Sequence, residues 1–514
     1  MQEQPQSTNK TRRIASNTLV LFVRMFLIMI INLYAVRVVL RGLGETDYGT
    51  YNAVAGVVLA SGIITTTLAI AIQRFYSYAI GESKYDKLRD IFSASMNIII
   101  VSSAIIVLLM ETVGLWVLNS QLSIQPERMT AANWAFHLSL ISFLFGLVQL
   151  PYTAAIFAHE DMGIFALISL LDCLLKLIVA LLIGKSSIDT LIFYSAGLAL
   201  VSCMTFLAYF LISRHRYPEC QYRTIKEHSL YKQLISFSGW TMYGALAIIA
   251  TTQGNTILLN VFFGAITTAA FAISCQVLHA FQSLGSSIVL AFRPPMVKAY
   301  AEKNFTFLNH LFMINNKLTI YLLIAVSVPI VTEMRTIFSW WLGEVSEESI
   351  IFARLIVIYI VCLTMNAPIT IIVQASGKIR HYSLWTETII LMCLPLSFIA
   401  FKMGAPSYYA LLSLILVCLS AHITRMICLR KLYHDFNIRQ YTLAVIISGL
   451  SVSLFTTLIA RAIHMNIAND ILRFAVVFAV IPLATLLMAY FAGTSNDEKR
   501  QINATVAKYL KKKQ

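Results

Sequence analysis

Charge is scarce in this sequence. Asp, Glu, Lys and Arg make up 12% of its 514 residues, about half of the ~25% usual in soluble domains. With 58% hydrophobic residues, such a chain cannot present water with a polar surface all round, and a bilayer supplies the apolar solvent it needs. Metal-ligand spacing is missing too. The eight cysteines form no CxxC pair; Cys173, Cys203, Cys275, Cys362, Cys393, Cys418 and Cys428 fall in apolar runs and Cys220 in a polar loop. They read as small apolar side chains, which excludes a disulfide frame or a zinc site. Gly184-Lys185-Ser186-Ser187 contains GKS but lacks the glycine five residues upstream that a phosphate loop needs. The largest loops run to about 20 residues, too short for a nucleotide-binding domain, so the chain alone is not an ATP-driven pump. HExxH, GxSxG and paired loop carboxylates are absent, which argues against a membrane enzyme.

Long apolar runs are what the sequence has in abundance. About fourteen reach the roughly 18 residues that let a helix cross the hydrocarbon core. They cover 14–40, 49–72, 91–118, 132–156, 164–184, 188–212, 236–261, 264–292, 312–332, 350–373, 384–401, 407–429, 441–461 and 472–492. None alternates apolar and polar residues as barrel strands do, so the predicted fold class is an all-α integral membrane protein. The first thirteen residues are polar and the first run is long enough to span, which predicts a retained span and no cleaved leader.

Basic residues gather on alternate loops. Arg74, Lys84, Lys87, Arg89, Arg214, Arg216, Arg223, Lys298, Lys378, Arg430 and Arg439 share one side with Lys10, Arg12, Arg13 and the tail residues Lys508 and Lys511–Lys513. The other side holds Arg41, Arg128, Lys185, Arg335, Lys402 and Arg461, with Glu333, Glu344, Glu347 and Glu348. The positive-inside rule then places both termini in the cytoplasm. It also accounts for the net charge of +15 without nucleic acid. One connection departs from the pattern: 157–163 carries His159, Glu160 and Asp161 and no base. At the tail, Ile502, Val506, Tyr509 and Leu510 line one face beside the lysines, which suits either a solvated basic tail or an anionic lipid surface.

The chain repeats itself. Gly44-Glu-Thr-Asp-Tyr-Gly-Thr-Tyr51 has a weaker copy, Gly264-Ala-Ile-Thr-Thr-Ala-Ala-Phe271, 220 residues later. At the same offset Glu82, Tyr85, Leu88, Ile91 and Phe92 fall on Glu302, Phe305, Leu308, Leu311 and Phe312. The organisation read from this is a six-helix lobe at 1–220, a second at 221–440, two additional spans within 441–492 and a basic cytoplasmic tail at 493–514. Six crossings per half make the copies parallel, and substrate sites in such carriers lie near the midplane between repeats. That favours a transporter over an enzyme.

Intramembrane polar residues are the candidates for the site, because each ionisable one costs about 2.5–3.5 kcal/mol to insert. Arg24 lies about ten residues into the first span, near the bilayer centre at 1.5 Å per residue, and shares a face with Asn17 and Asn32. A cavity role and a structural contact both fit it. Asp172 and Lys176, four apart, can pair on one face, either as a self-neutralised pair or as a switch loosened by an anion or a proton. Gln276, His279, Ser283 and Ser286 form one stripe, and Gln253 with Asn255 polarises the preceding span. Hydroxyls and amides at this spacing serve sugars or helix contacts alike, and His279 is a candidate proton site as well as a helix-contact residue, because histidine is the side chain whose charge changes in the physiological range. Glu387, an ion-coupling candidate beside Asp172 and His279, lies near a cytoplasmic end with Lys317, and Arg354 lies near an outer end, where snorkelling is the default. Pro151, Pro329, Pro368, Pro395 and Pro482 interrupt spans and can act as bends.

The chain resembles the Wzx-type polysaccharide flippases of the multidrug/oligosaccharidyl-lipid/polysaccharide exporter superfamily, which includes MATE drug exporters and the lipid II flippase MurJ. The resemblance rests on Arg37–Asn52, on Gln73-Arg74-Phe75, on Phe292-Arg-Pro-Pro and Tyr300-Ala-Glu, and on fourteen spans with a half-chain repeat. It implies a MATE/MurJ-like fold and a place in the bacterial inner membrane. It implies transport of an undecaprenyl-pyrophosphate-linked oligosaccharide by alternating access, driven by a proton or sodium gradient and with no bound cofactor. Arg24 and Lys176 would meet the pyrophosphate, with Asn32, Asp172, Gln253 and His279 in the same substrate role. Membrane lipids, and the glycan polymerase and glycosyltransferases of the same pathway, are the implied partners. A cation-coupled multidrug exporter is the first alternative and a membrane glycan polymerase or glycosyltransferase the second.

Overall fold

The computed structural model describes residues 4–59, 61–120, 124–185, 188–225, 228–342, 346–433, 436–494 and 499. The tail face around Val506 and the serines of the GKS stretch lie outside them. Among the described residues thirteen helices are long and apolar enough to span a membrane, and counting the bent pair Thr46–Val58 and Gly62–Gly81 as one span gives fourteen. No strand occurs among the described residues. The expected all-α, multi-pass membrane architecture is the one observed.

The spans divide between two compact units, Met1–Leu246 with Leu290–Asn304, and Ala247–Val289 with Phe305–Gln514. The first contains α1 (Ser16–Gly44), α2 (the bent pair), α3 (Tyr85–Ser120), α4 (Pro126–Ala158), α5 (Met162–Leu182) and α6 (Thr190–Arg216). The next two helices, α7 (Ser229–Phe263) and α8 (Ile266–Ala301), contribute residues to both units. The second unit adds α9 (Phe305–Thr332), α10 (Glu347–Ser376), α11 (Ile379–Lys402), α12 (Tyr409–Leu432), α13 (Ile438–Asn466) and α14 (Asp470–Phe491).

The sequence repeat is written into the backbone. Positive φ occurs among the described residues at Gly44, Ser83, Glu160 and Gly184, and again at Gly264, Lys303, Gly377 and Gly404. Three of these pairs stand 220 residues apart and the fourth, Glu160 with Gly377, 217. Each pair ends a helix of its half in the same place. After α2, Lys84 N–H reaches Ala79 O and Ser83 N–H reaches Ile80 O; after α8, Asn304 N–H reaches Ala299 O and Lys303 N–H reaches Tyr300 O. This left-handed cap satisfies the last carbonyls of a helix, and a side chain other than glycine tolerates it only at a cost. Gly44, at φ 78° and ψ 167°, occupies a region open to glycine alone, which is why the chain can turn from α1 into α2 there.

Three of the five prolines break their helices as expected. Helical hydrogen bonding is interrupted at Gln149, Met365 and Met392, each two or three residues before Pro151, Pro368 or Pro395, because proline lacks the N–H and crowds the preceding turn. Pro329 and Pro482 stay inside continuous helices. In the first unit α4 packs on α6 and α1 on α5, around an aromatic cluster in which Tyr152 meets Phe92 at 5.2 Å and Phe210 at 5.5 Å. In the second unit the two additional helices, α13 and α14, pack on α9 and on each other.

The acidic connection that departed from the charge pattern is neutralised in space. Lys298 Nζ stands 2.8 Å from Glu160 Oε1, Arg216 Nε 3.2 Å from Asp161 Oδ2, and Tyr217 Oη donates to the same carboxylate at 2.6 Å. Its partners come from the basic loops after α6 and from the end of α8, so the loop belongs with them electrostatically.

Candidate functional site

Two helices of the first unit turn polar faces to each other. Arg24 and Asn32, two turns apart on α1, meet Ser169 and Cys173 on α5: Arg24 Nε donates to Ser169 Oγ at 2.5 Å, and Cys173 Sγ to Asn32 Oδ1 at 3.4 Å. The Arg24 guanidinium lies 4.5 Å from the Phe165 ring centroid. Both of these Arg24 partners are neutral, so its positive charge keeps its reach. One turn further along α5, Lys176 Nζ pairs with Asp172 Oδ2 at 2.8 Å, and Thr205 Oγ1 on α6 donates to Asp172 Oδ1 at 3.1 Å. Asp172 therefore spends both oxygens within the protein, while Lys176 retains donors for something else.

A cavity of about 440 Å³ adjoins this face, lined by Asn32 and Lys176 with Tyr48, Tyr51, Asn52 and Tyr194 among others. Its volume falls within the roughly 300–1,000 Å³ of small-molecule sites. Lys176 is the one charged residue among its described lining residues, and no carboxylate lines it.

The end of the unit near the α1–α2 bend is held by one arginine. Arg128, at the start of α4, reaches Asp47 through Nε at 2.8 Å and Nη2 at 2.5 Å, and Asp189 through Nη1 at 2.5 Å. Asp189 also caps α6 by accepting from the backbone N–H of Leu191 and Ile192. The Arg128 hydrogen bond, joined by the Ile192 N–H and opposed by burial, holds the Asp189 carboxyl below its ordinary range. Paired forks of this kind are strong and directional. They tie the segment after Gly44 to the loops before α4 and α6, one residue from the cavity-lining Tyr48.

Of the residues singled out from sequence, Arg24, Asn32, Asp172 and Lys176 thus come together in the first unit. The others belong to the second. Gln253 is exposed. His279 is exposed, with Nδ1 3.3 Å from Gln282 Oε1, and Gln276, Ser283 and Ser286 are exposed along the same face of α8. Glu387 corrects the snorkelling expectation: it is 6% exposed and accepts from Arg425 Nη2 at 3.1 Å and Thr386 Oγ1 at 3.1 Å. Lys317 is buried as well, whereas Arg354 is exposed as a snorkelling residue should be. Depth along a span does not reveal whether a neighbouring helix supplies a partner. Sequence reasoning missed Arg425, a lone cation in an apolar run, and with it His422, whose Nδ1 lies 2.8 Å from Asn366 Oδ1. Of the cavity tyrosines, Tyr48 and Tyr51 stand out in the sequence only within the repeat motif and Tyr194 not at all, since aromatic residues in membrane helices are too common to draw notice.

No family model and no curated relative matches the sequence. Solved structures do. A MATE transporter in a bent conformation superposes with a TM-score of 0.71 at 13% identity, over 82% of this chain and 96% of that one. A Vibrio cholerae MATE transporter, VcmN, gives 0.65 at 17% identity, over 84% of this chain and 100% of that one. A MOP superfamily transporter from Pyrococcus furiosus gives 0.66 at 13% identity, over 81% and 95%, and is described as having a binding pocket of reverse polarity that suggests a different function. At such identities the likeness is one of architecture: this chain has the fold of the MATE transporters of the MOP superfamily.

Proposed function

We propose that the chain is a transporter that moves an undecaprenyl-pyrophosphate-linked oligosaccharide from the cytoplasmic to the outer leaflet of a bacterial inner membrane by alternating access. The observation that carries the reading is the sign of the charge. The polar face of the first unit offers Arg24, whose described partners are neutral, with Lys176, paired to Asp172, beside a cavity that has no carboxylate among its described lining residues. An anionic pyrophosphate head is stabilised there and a cationic drug is repelled. A cationic drug would call for carboxylates in place of these cations, and the Pyrococcus furiosus neighbour is described only as having a binding pocket of reverse polarity that suggests a different function. Drive by a proton or sodium gradient is part of the proposal, with Asp172, His279 and Glu387 as its coupling candidates. So are the glycan polymerase and glycosyltransferases of the same pathway as partners, and the absence of enzymatic chemistry in this chain.

Purified protein in liposomes tests this through protection of a fluorescent polyprenyl-pyrophosphate oligosaccharide from an impermeant quencher, with and without each gradient. The expected result is protein-dependent movement that Arg24→Ala abolishes and Arg24→Lys partly restores. Gradient-driven movement of a cationic dye with no movement of the lipid would overturn it in favour of the exporter.

A further inference from the structure

The cavity beside Lys176 contains more unspent hydrogen-bonding capacity than a pyrophosphate site needs. Tyr51 and Tyr194 meet edge to face, ring centroids 5.0 Å apart, and with Tyr48 they bring three phenol rings to one cavity. Among the described residues none of the three hydroxyls has a hydrogen-bond partner. Asn52 donates to Tyr48 O at 2.9 Å, which leaves its side-chain oxygen uncommitted. Between these polar groups the lining is apolar, including Val36, Val39, Ala55 and Val58.

Alternating aromatic faces and uncommitted hydroxyls and amides complement a molecule with the same alternation, namely a pyranose, whose C–H faces stack on rings while its hydroxyls take the polar groups. Three other ligand classes fit worse. A wholly apolar ligand would strand the phenol hydroxyls away from water, at a cost. A cationic amphiphile meets a lysine and, among the described lining residues, no carboxylate. A phosphate group is better served outside the cavity by Arg24, which is not among its described lining residues, than inside it by Lys176, already paired to Asp172. We infer that this cavity is a sugar seat that holds one glycan residue of the cargo, with Tyr51 and Tyr194 as its stacking walls and Asn52 and Lys176 reading polar or acidic substituents. This rests on the glycan-transport reading and adds to it the residues that would set glycan specificity.

Saturation-transfer NMR on the full chain in lipid nanodiscs tests it. The probes are the methyl glycosides of glucose, galactose, N-acetylglucosamine, rhamnose and glucuronic acid, with tetraphenylphosphonium as the cationic control. Transfer to the ring protons of at least one glycoside is expected, with affinity falling about twofold to tenfold in Tyr51→Ala and Tyr194→Ala, the worth of one aromatic contact. Asn52→Ala, which removes no ring, is expected to weaken binding and keeps the test open should a tyrosine variant not fold. Arg354→Gln, at an exposed position in the second unit, should leave glycoside binding unchanged. Absence of transfer to every glycoside, or transfer unaffected by Tyr51→Ala, Tyr194→Ala and Asn52→Ala, overturns the seat. So does tetraphenylphosphonium binding that those substitutions abolish. Tyrosine-dependent glycoside binding without lipid movement in the liposome assay would sink the flippase reading alone, and lipid movement without such binding would sink the seat alone.

Discussion

Glu387 and Arg425 show what a charge does inside an apolar unit. The two side chains are 8% and 6% exposed and meet at 3.1 Å, yet Glu387 Oε2 and Arg425 Nε and Nη1 are buried without a hydrogen-bond partner. Such a pair is held by mutual dependence more than by net gain, since removing one partner leaves the other charged and unsatisfied. Arg425→Ala should therefore lower unfolding free energy by about 3–5 kcal/mol, while Glu387→Leu combined with Arg425→Leu should recover most of that loss. Thermal unfolding of the purified variants in detergent measures both. A double variant as unstable as the single one would show that the pair is intrinsically stabilising. At this scale the first-unit face was legible: an arginine near mid-span and an Asp–Lys pair four apart need partners wherever the helices pack. Glu387 was not, because its partner sits 38 residues away on another helix.

The additional helices are attached by an element-level clip. Glu333, fully buried in the turn after α9, accepts from Arg473 Nε on α14 at 3.0 Å, from Thr336 Oγ1 at 3.0 Å and pairs with His464 Nδ1 at the end of α13 at 2.9 Å. Burial alone would raise its carboxyl, but Arg473, His464 and Thr336 outweigh it and hold it below its ordinary 4.5. A depressed acid stabilises above its unfolded value and loses that contribution as pH falls through the folded one. Glu333→Gln should thus cost about 1.5–3 kcal/mol at neutral pH, the range for a hydrogen bond to a charged group. The gap from wild type should close as pH drops below 4.5. Melting curves taken across that range decide it, and a pH-independent gap would assign the role to packing. The sequence placed Glu333 in an acidic external loop, which correctly put it outside the spans and missed that it binds two helices ending more than 100 residues later.

For the molecule as a whole, the loop charges predict both termini on the cytoplasmic side. Reporter fusions at each end should be active only as cytoplasmic reporters; an exported terminus would invert every loop and void the orientation. Span number, the breaking of spans next to prolines and the 220-residue offset of the turns at Gly44 and Gly264 are properties the sequence by itself determined, whereas which of the five prolines break was not. Each depends on local composition or backbone chemistry: enough apolar length to cross lipid, a missing N–H, a residue that accepts positive φ. Tertiary structure alone decided which polar residues meet. It set Arg24 against Ser169, Arg128 between Asp47 and Asp189, and three tyrosines around one cavity. The physical reason lies in the solvent. Lipid is as apolar as a protein interior, so a spanning helix shows little periodic contrast between its outer and inner faces. Its rotation about its own axis, and with it every long-range pairing, is chosen by packing against neighbours rather than by any pattern along the chain.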